Sequence, residues 1–386
     1  MTTTPSQSVE VPETTQLIDG EWSPAPVELG TQLENPNTGE AVAQMRGSTD
    51  DDVERAAAAA WRVHESGAWL KIPAQERADM LEKVADALDA AAPQVAALES
   101  FGTAAVISTT AMLAGVINGG SFRLAAGLLR DGRLMHTVDG PTGKPAEVHR
   151  LPWGPALSLV PWNAPAPQGC HKIANSLAVG APTILKPSEW APYGTTLVAE
   201  VIAKALDEAG APQGTFQLVQ GNSHVGGRLV KDQRIRSISF TGGLVGGQAI
   251  AAACAPDFKP AQLELGGNNP VVVLDDVDLD GAATGITELL TQLNGQWCRA
   301  LGRLIIQGGI YDDLMAAVLE KFGQLVIGDS LSAESQMGPI VHSGHLSMLK
   351  GRIAEYEAKG GKAHSSSSLP DLPGNFLAPT LITGVS

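Results

Sequence analysis

The stretch SFTGGLVGGQAIAAACA, residues 239–255, decides how the chain is read. A short apolar run ends at Phe240, four glycines fall within the next seven residues, and an alanine-rich helical run begins near Val245. Backbone N–H groups at such a helix start, with glycines allowing close approach, favour a pyrophosphate. The spacing Gly242-x-x-x-x-Gly247 differs from the three-glycine dinucleotide fingerprint. Alone, the segment reads equally well as a plain strand–turn–helix.

Outward from it, short apolar runs recur at ALSLV (156–160), TILK (183–186), FQLV (216–219) and SISF (237–240), then at PVVVL (270–274) and RLIIQ (303–307). Helix-length segments separate most of them, for example 195–209 and 311–322. This alternation predicts an α/β fold with a parallel sheet covered on both faces. Ligands in such folds sit beyond the carboxyl ends of the strands. Upstream, 51–100 has helical periodicity and opens with acids at the positive end of the helix dipole. The uncharged segment 101–122 is diluted by Gly, Ser, Thr and Asn, which favours a buried helix over a membrane span. The Pro- and Gly-rich stretch 139–155 reads as a connection or an exposed ribbon.

A length of 386 residues suggests two domains, and 44% hydrophobic with 17% charged residues suffices for sizeable cores. The net charge of −15 opposes partnership with nucleic acid or an anionic membrane. Three cysteines, Cys170, Cys254 and Cys298, form no disulfide framework and no zinc spacing, which points to a reducing, cytoplasmic compartment and no metal site. Residues 1–16 lack a signal-peptide pattern and read as a flexible tail.

Polar residues at the ends of the apolar runs are the candidates for chemistry. Lys186, with Glu189 after a Pro-Ser turn, can hold ribose hydroxyls, or can be a solvated loop. Asn163, in the turn PWNAPAPQG, can donate to an oxyanion, or can be a common turn asparagine. Glu264 in QLELGGNNP has apolar neighbours that would raise its pKa, as a general base for water requires, or it is a structural glutamate. Cys298 in NGQWCRALGR is a nucleophile or a buried filler. His342 and His345 share a helix face without a metal-binding partner and read as surface residues.

Taken in order, PWNAP, LKPSEWAP, FTGGLVGG, LELGGNNPVVVLDDVDLD, NGQWC and SQMGPIV resemble signature segments of the NAD(P)-dependent aldehyde dehydrogenase superfamily, from about Leu17 to the last residue. The separations agree as well, 23 residues from Asn163 to Lys186 and 34 from Glu264 to Cys298. The resemblance implies a Rossmann-like doubly wound cofactor domain (17–138 and 151–263), an oligomerisation ribbon (139–150) and a catalytic α/β domain from 264. It implies that Cys298 is the nucleophile, that Asn163 and the Cys298 N–H hold the oxyanion, and that Glu264 activates water. It implies NAD, with NADP possible, bound by Lys186, Ser188 and Glu189 at the ribose and by Gly242 and Gly247 at the pyrophosphate. Trp162, Phe240, Thr241, Gly243, Leu265 and Gly266 would complete that groove. Gln168, His171, Trp297 and Arg299 would face a small-molecule aldehyde, and a homodimer or homotetramer would be the usual assembly.

Three departures from the family pattern stand out. Gly243 replaces a usual serine, and Arg299 replaces a small hydroxylated residue after the nucleophile. The family's E-x-F-G-P motif, with the rest of the catalytic domain and the subunit-joining strand, would fall beyond Ser386. The expectation is therefore an aldehyde dehydrogenase truncated at its C-terminus, with impaired activity and assembly. The competing expectation is a non-catalytic homologue that binds cofactor or a full-length partner.

Overall fold

The computed structural model describes residues 9–140 and 142–385, so the first eight residues of the expected tail lie outside the described part. The remainder of that tail is not loose. Strand β1 (Thr15–Ile18) starts inside it, and buried Gln16 accepts from the Ser48 hydroxyl at 2.5 Å.

After β1 come β2 (Glu21–Pro24), β3 (Val27–Glu34), β4 (Ala41–Gly47), α1 (Asp50–Ser66), α2 (Ala74–Thr103), α3 (Ile107–Leu113) and α4 (Gly119–Arg130). A hairpin of β5 (Met135–Asp139) and β6 (Pro145–His149) leads to β7 (Ala156–Leu159), α5 (Pro165–Ala178), β8 (Thr183–Lys186) and α6 (Tyr193–Glu208). Then follow β9 (Phe216–Leu218), α7 (Ser223–Lys231), β10 (Ser237–Gly242), α8 (Leu244–Cys254) and β11 (Ala261–Leu265). The chain continues through β12 (Asn269–Val273), α9 (Leu279–Thr291), β13 (Leu301–Ile306), α10 (Tyr311–Gln324), α11 (Ser343–Ala358), β14 (Lys362–His364) and β15 (Leu381–Thr383).

The main sheet has the order β11-β10-β7-β8-β9-β1-β2, parallel from β11 to β9 and antiparallel at β1 and β2. Both faces are covered, as near-continuous apolar strands require. On one face Leu185 and Leu218 pack with Leu88, Phe122, Ile173 and Ile202, from α2, α4, α5 and α6. On the other, Leu157, Ile184 and Ile238 pack with Ala56, Leu229 and Ile250, from α1, α7 and α8. Neighbouring residues Ile184 and Leu185 face opposite layers because side chains alternate along a strand. The chain runs from β7 through β8 to β9 and then returns to place β10 on the far side of β7. That reversal is the topological switch point, where a crevice opens beyond the strand ends.

The segment 101–122 is not one buried helix. α2 stops at Thr103, Ala104 turns the chain with φ 68°, and α3 passes through a π-helical turn, Ala114–Asn118, into α4. By length and composition Ile107–Arg130 could cross a membrane, and 44% of its most apolar window is buried. Its inner residues Ala114, Phe122 and Ala126 join the core, while Met112, Val116 and Leu124 are exposed. Arg123 and Arg130 pair with Asp79, Glu82, Asp86 and Asp89 of α2.

The ribbon is a two-stranded hairpin exposed along both strands, and its first arm begins at Met135, four residues before the expected boundary at 139. The second sheet pairs β12 and β13 in parallel, backed by α9 and α10 through Val273, Ile286, Leu314 and Phe322. Glu264, expected to open the second unit, still lies within β11 of the first sheet.

Candidate active site

A cleft of about 720 Å³ lies at the switch point. It is lined from the ends of β7, β8, β10 and β11 and from the loop before β13. The structure brings together in it Trp162, Asn163, Gln168, Lys186, Ser188, Glu189, Phe240, Thr241, Gly242, Gly243, Glu264, Leu265, Gly266, Trp297 and Cys298. His171, Gly247 and Arg299 do not line it. His171 is exposed on α5, and Arg299 is exposed with its guanidinium 5.4 Å from the Trp297 ring centre. Gly246 lines the cleft in place of Gly247. A Cβ on Gly247 would come within 2.6 Å of the Leu265 side chain, so this glycine lets α8 lie close on β11.

At one end, buried Lys186 sits 3.5 Å from the Glu189 carboxylate. Burial pulls the Lys186 ammonium below its usual range, and Glu189 opposes the shift. The glycine turn forms the middle. A side chain at Gly242 would strike the Phe240 ring, whereas a Cβ at Gly243 would meet open space. Gly243 is also the N-cap of α8 and makes no side-chain cap, so the helix start is left to a ligand.

At the other end, Cys298 is exposed, unlike buried Cys170 and Cys254. The filler reading of this cysteine is thereby excluded. Its loop is held from four directions. The Asn163 side-chain amide donates to the Gln296 carbonyl at 2.8 Å. One amide hydrogen of Asn163 thus anchors the Cys298 loop and the second is left to donate elsewhere. Asn269 of β12 donates to the carbonyls of Cys298 (2.8 Å) and Ala300 (3.0 Å). Asn294 donates to Ala104 O and Pro339 O and accepts from Gly338 N–H. Gln296 accepts from Val341 N–H at 3.0 Å.

The apolar enclosure expected around Glu264 is absent, since Glu264 is exposed at the end of edge strand β11. Its charge is instead felt by Lys172, a buried lysine of α5 that donates to Ser239 Oγ at 2.7 Å. Burial lowers the Lys172 ammonium to about 8, and the Glu264 charge opposes that shift. Sequence reading missed Lys172, Asn269, Asn294 and Gln296. The paired asparagines after Gly267 were the available signal for Asn269.

The two histidines are half-buried rather than surface residues, and they do not share a helix face, because His342 is the N-cap before α11. His342 stacks on Trp190 with ring centres 3.8 Å apart, and His345 meets Trp162 edge-on at 5.3 Å and lines the cleft. Burial pushes both imidazoles below their usual range. Among the described residues no cluster of metal-ligating side chains is present.

A doubly wound sheet with a glycine-turned helix start at its switch point, and an accessible thiol at the far end of the same cleft, has the build of a nucleotide-dependent enzyme. The aldehyde dehydrogenase family model matches residues 24–386, and the chain belongs to that family. It is 31% identical to a betaine aldehyde dehydrogenase of Bacillus subtilis, over 96% of this chain and 75% of that protein. It is 30% identical to a glutarate-semialdehyde dehydrogenase of Pseudomonas aeruginosa, over 95% of this chain and 75% of the relative. The structure resembles a betaine aldehyde dehydrogenase from Staphylococcus aureus solved in complex with NAD+, with TM-score 0.89 and 29% identity, over 97% of this chain and 74% of the other.

Proposed function

We propose that this chain oxidises an aldehyde to a carboxylic acid with NAD+, through a covalent adduct on Cys298. The observation that carries this reading is the tie between Asn163 and the nucleophile loop, in the same cleft as Glu264 and the glycine turn.

The residues present suit the cofactor. Lys186 and Glu189 would hold the adenosine ribose, Glu189 favouring NAD+ over NADP+ because a carboxylate accepts from a 2′-hydroxyl and repels a 2′-phosphate. The N-terminus of α8 at Gly243 would face the pyrophosphate. When bound, NAD+ supplies the acceptor for the hydride whose loss turns the thiohemiacetal into a thioester. The chain supplies the rest. The Cys298 thiolate adds to the carbonyl carbon, and the free hydrogen of the Asn163 amide stabilises the resulting oxyanion. Exposed Glu264 activates the water that releases the acid and regenerates the thiol. Gln168 and Trp297, which line the cleft, would flank the aldehyde.

Replacement of Cys298 with Ala should abolish aldehyde oxidation and leave NAD+ affinity within about twofold, because the thiol makes the covalent bond and no cofactor contact. Glu264→Gln should give a burst of NADH, about one per site, without turnover. Stopped-flow absorbance reads both. Steady turnover by the Cys298→Ala protein would refute the mechanism.

A further inference from the structure

Asn163 borders, besides the cleft, a small cavity lined by Glu99, Thr103, Thr110, Asn118, Ala164 and Leu293. Helix α5 starts at Pro165, with Ala164 as N-cap after Asn163, and has no side-chain cap of its own. Pro165 has no N–H, so Ala166 carries the first amide in need of a partner. That partner is Glu99, 67 residues upstream at the end of α2, whose Oε2 accepts from Ala166 N–H at 3.1 Å. Glu99 is only 5% exposed. Its Oε1 and both side-chain polar atoms of Asn118 are buried without hydrogen-bond partners. Asn118 is the last residue of the π-helical turn, a feature frequent at functional sites. From the third side, Gly194 of α6 leaves no space for a side chain without striking the Glu99 carboxyl.

We propose that Glu99 is a positioning residue: reaching across from α2, it caps α5 and so fixes the turn that aims the Asn163 amide at the reacting carbonyl. This rests on the reading of Asn163 as the oxyanion donor. The carboxyl can accept from the Ala166 N–H in either form, but only the neutral form adds no charge behind the oxyanion site, and burial favours the neutral form. Burial raises Glu99 to about 8, with the Ala166 hydrogen bond opposing. The ionisable group that feels its charge is the Cys170 thiol of α5, which burial, with the Glu99 charge added, pushes far up. Among the described residues no cation faces the carboxyl to ionise it at neutral pH. Above about pH 8 ionisation places a bare negative charge behind the oxyanion site, where it opposes the developing charge.

The test compares the parent with Glu99→Gln and Glu99→Ala by crystal structure and by NAD+-dependent kinetics with an aldehyde substrate. Glutamine keeps the acceptor and cannot ionise. It should keep Asn163 in place, hold kcat within about twofold at pH 7, and lose less activity than the parent between pH 8 and 9.5. Alanine should displace Asn163 and lower kcat by about ten- to a hundredfold, the scale of an ångström's misplacement. KM for NAD+ should stay within about twofold in both. Lys172 is present in all three proteins, so its own titration cancels in the comparison. The proposal is overturned if Asn163 keeps its position in Glu99→Ala, or if Glu99→Gln is as impaired as Glu99→Ala, or if the alkaline limbs of parent and Glu99→Gln coincide. A parent that oxidises no aldehyde refutes the oxyanion reading instead, while the Asn163 displacement still decides whether Glu99 positions it.

Discussion

At the turn where a pyrophosphate is proposed to lie, Gly243 is a residue with room for a larger side chain. It stands at the N-cap of α8 with open space where a Cβ would lie. A hydroxyl there would cap the helix and donate to the pyrophosphate, one hydrogen bond worth about 1 kcal/mol. Gly243→Ser should therefore tighten NAD+ by about fivefold without altering the pH dependence of turnover, as titration by NADH fluorescence would show; unchanged or weaker binding would count against a phosphate at this turn. Of the residues that the sequence singles out by type, the structure gathers Cys298, Asn163, Lys186 and Glu189 in one cleft. Glu264 was found but its setting was misread. Leu263 and Leu265 flank it in sequence, yet side chains alternate along β11, so those two leucines face away from it. Glu99, Lys172 and Asn294 were missed because their meaning lies in partners such as Ala166, Ser239 and Ala104, which are 67, 67 and 190 residues distant.

The elements that carry repeating patterns were read well, and the irregular joints between them were not. α1 shows why the regular ones are plain: Thr49 and Asp52 form a capping box, and three acids occupy the first turn. No pattern foretold the turn before Cys298, where Leu293, Asn294 and Gly295 have φ of 49°, 58° and 73°. Three successive left-handed residues, two of them not glycine, are unfavourable unless the surroundings hold them. Asn294 is the hold, being buried and satisfying three backbone groups at once. Asn294→Ala should cost on the order of 3 kcal/mol by orphaning those groups, and should lower kcat through the displaced thiol more than it raises KM for NAD+. Denaturant titration with steady-state kinetics checks both, and a wild-type midpoint in the variant would show that the turn holds itself.

For the molecule as a whole, the parallel sheet and its two layers followed from the alternation of apolar runs and helices, whereas the strand order did not. Nothing local tells β10 to lie beside β7 rather than β9, and that choice creates the cleft. Burial of Glu99 at the centre of one layer also bears on global stability. A carboxyl whose pKa is raised in the fold, here to about 8 from 4.5, keeps its proton where the unfolded chain loses it. Its contribution is complete below about pH 4.5 and is lost as pH rises through about 8, at roughly 1.4 kcal/mol per unit between. The melting temperature of the parent should therefore fall more steeply from pH 5 to 8 than that of Glu99→Gln. Parallel melting curves would contradict the burial of a protonated acid.

The unequal exposure of the three cysteines makes the chain its own gauge. Cys298 is open to solvent, while Cys170 and Cys254 are enclosed in the two layers of the main sheet. A thiol-specific dye should mark the folded protein once per chain, at Cys298, and three times after denaturation. Mass spectrometry of labelled peptides distinguishes these results, and rapid labelling of Cys170 in folded protein would contradict its burial. The single fast equivalent then counts intact Cys298 thiols in any preparation, so ageing in air, which first consumes the accessible thiol, can be followed without a substrate.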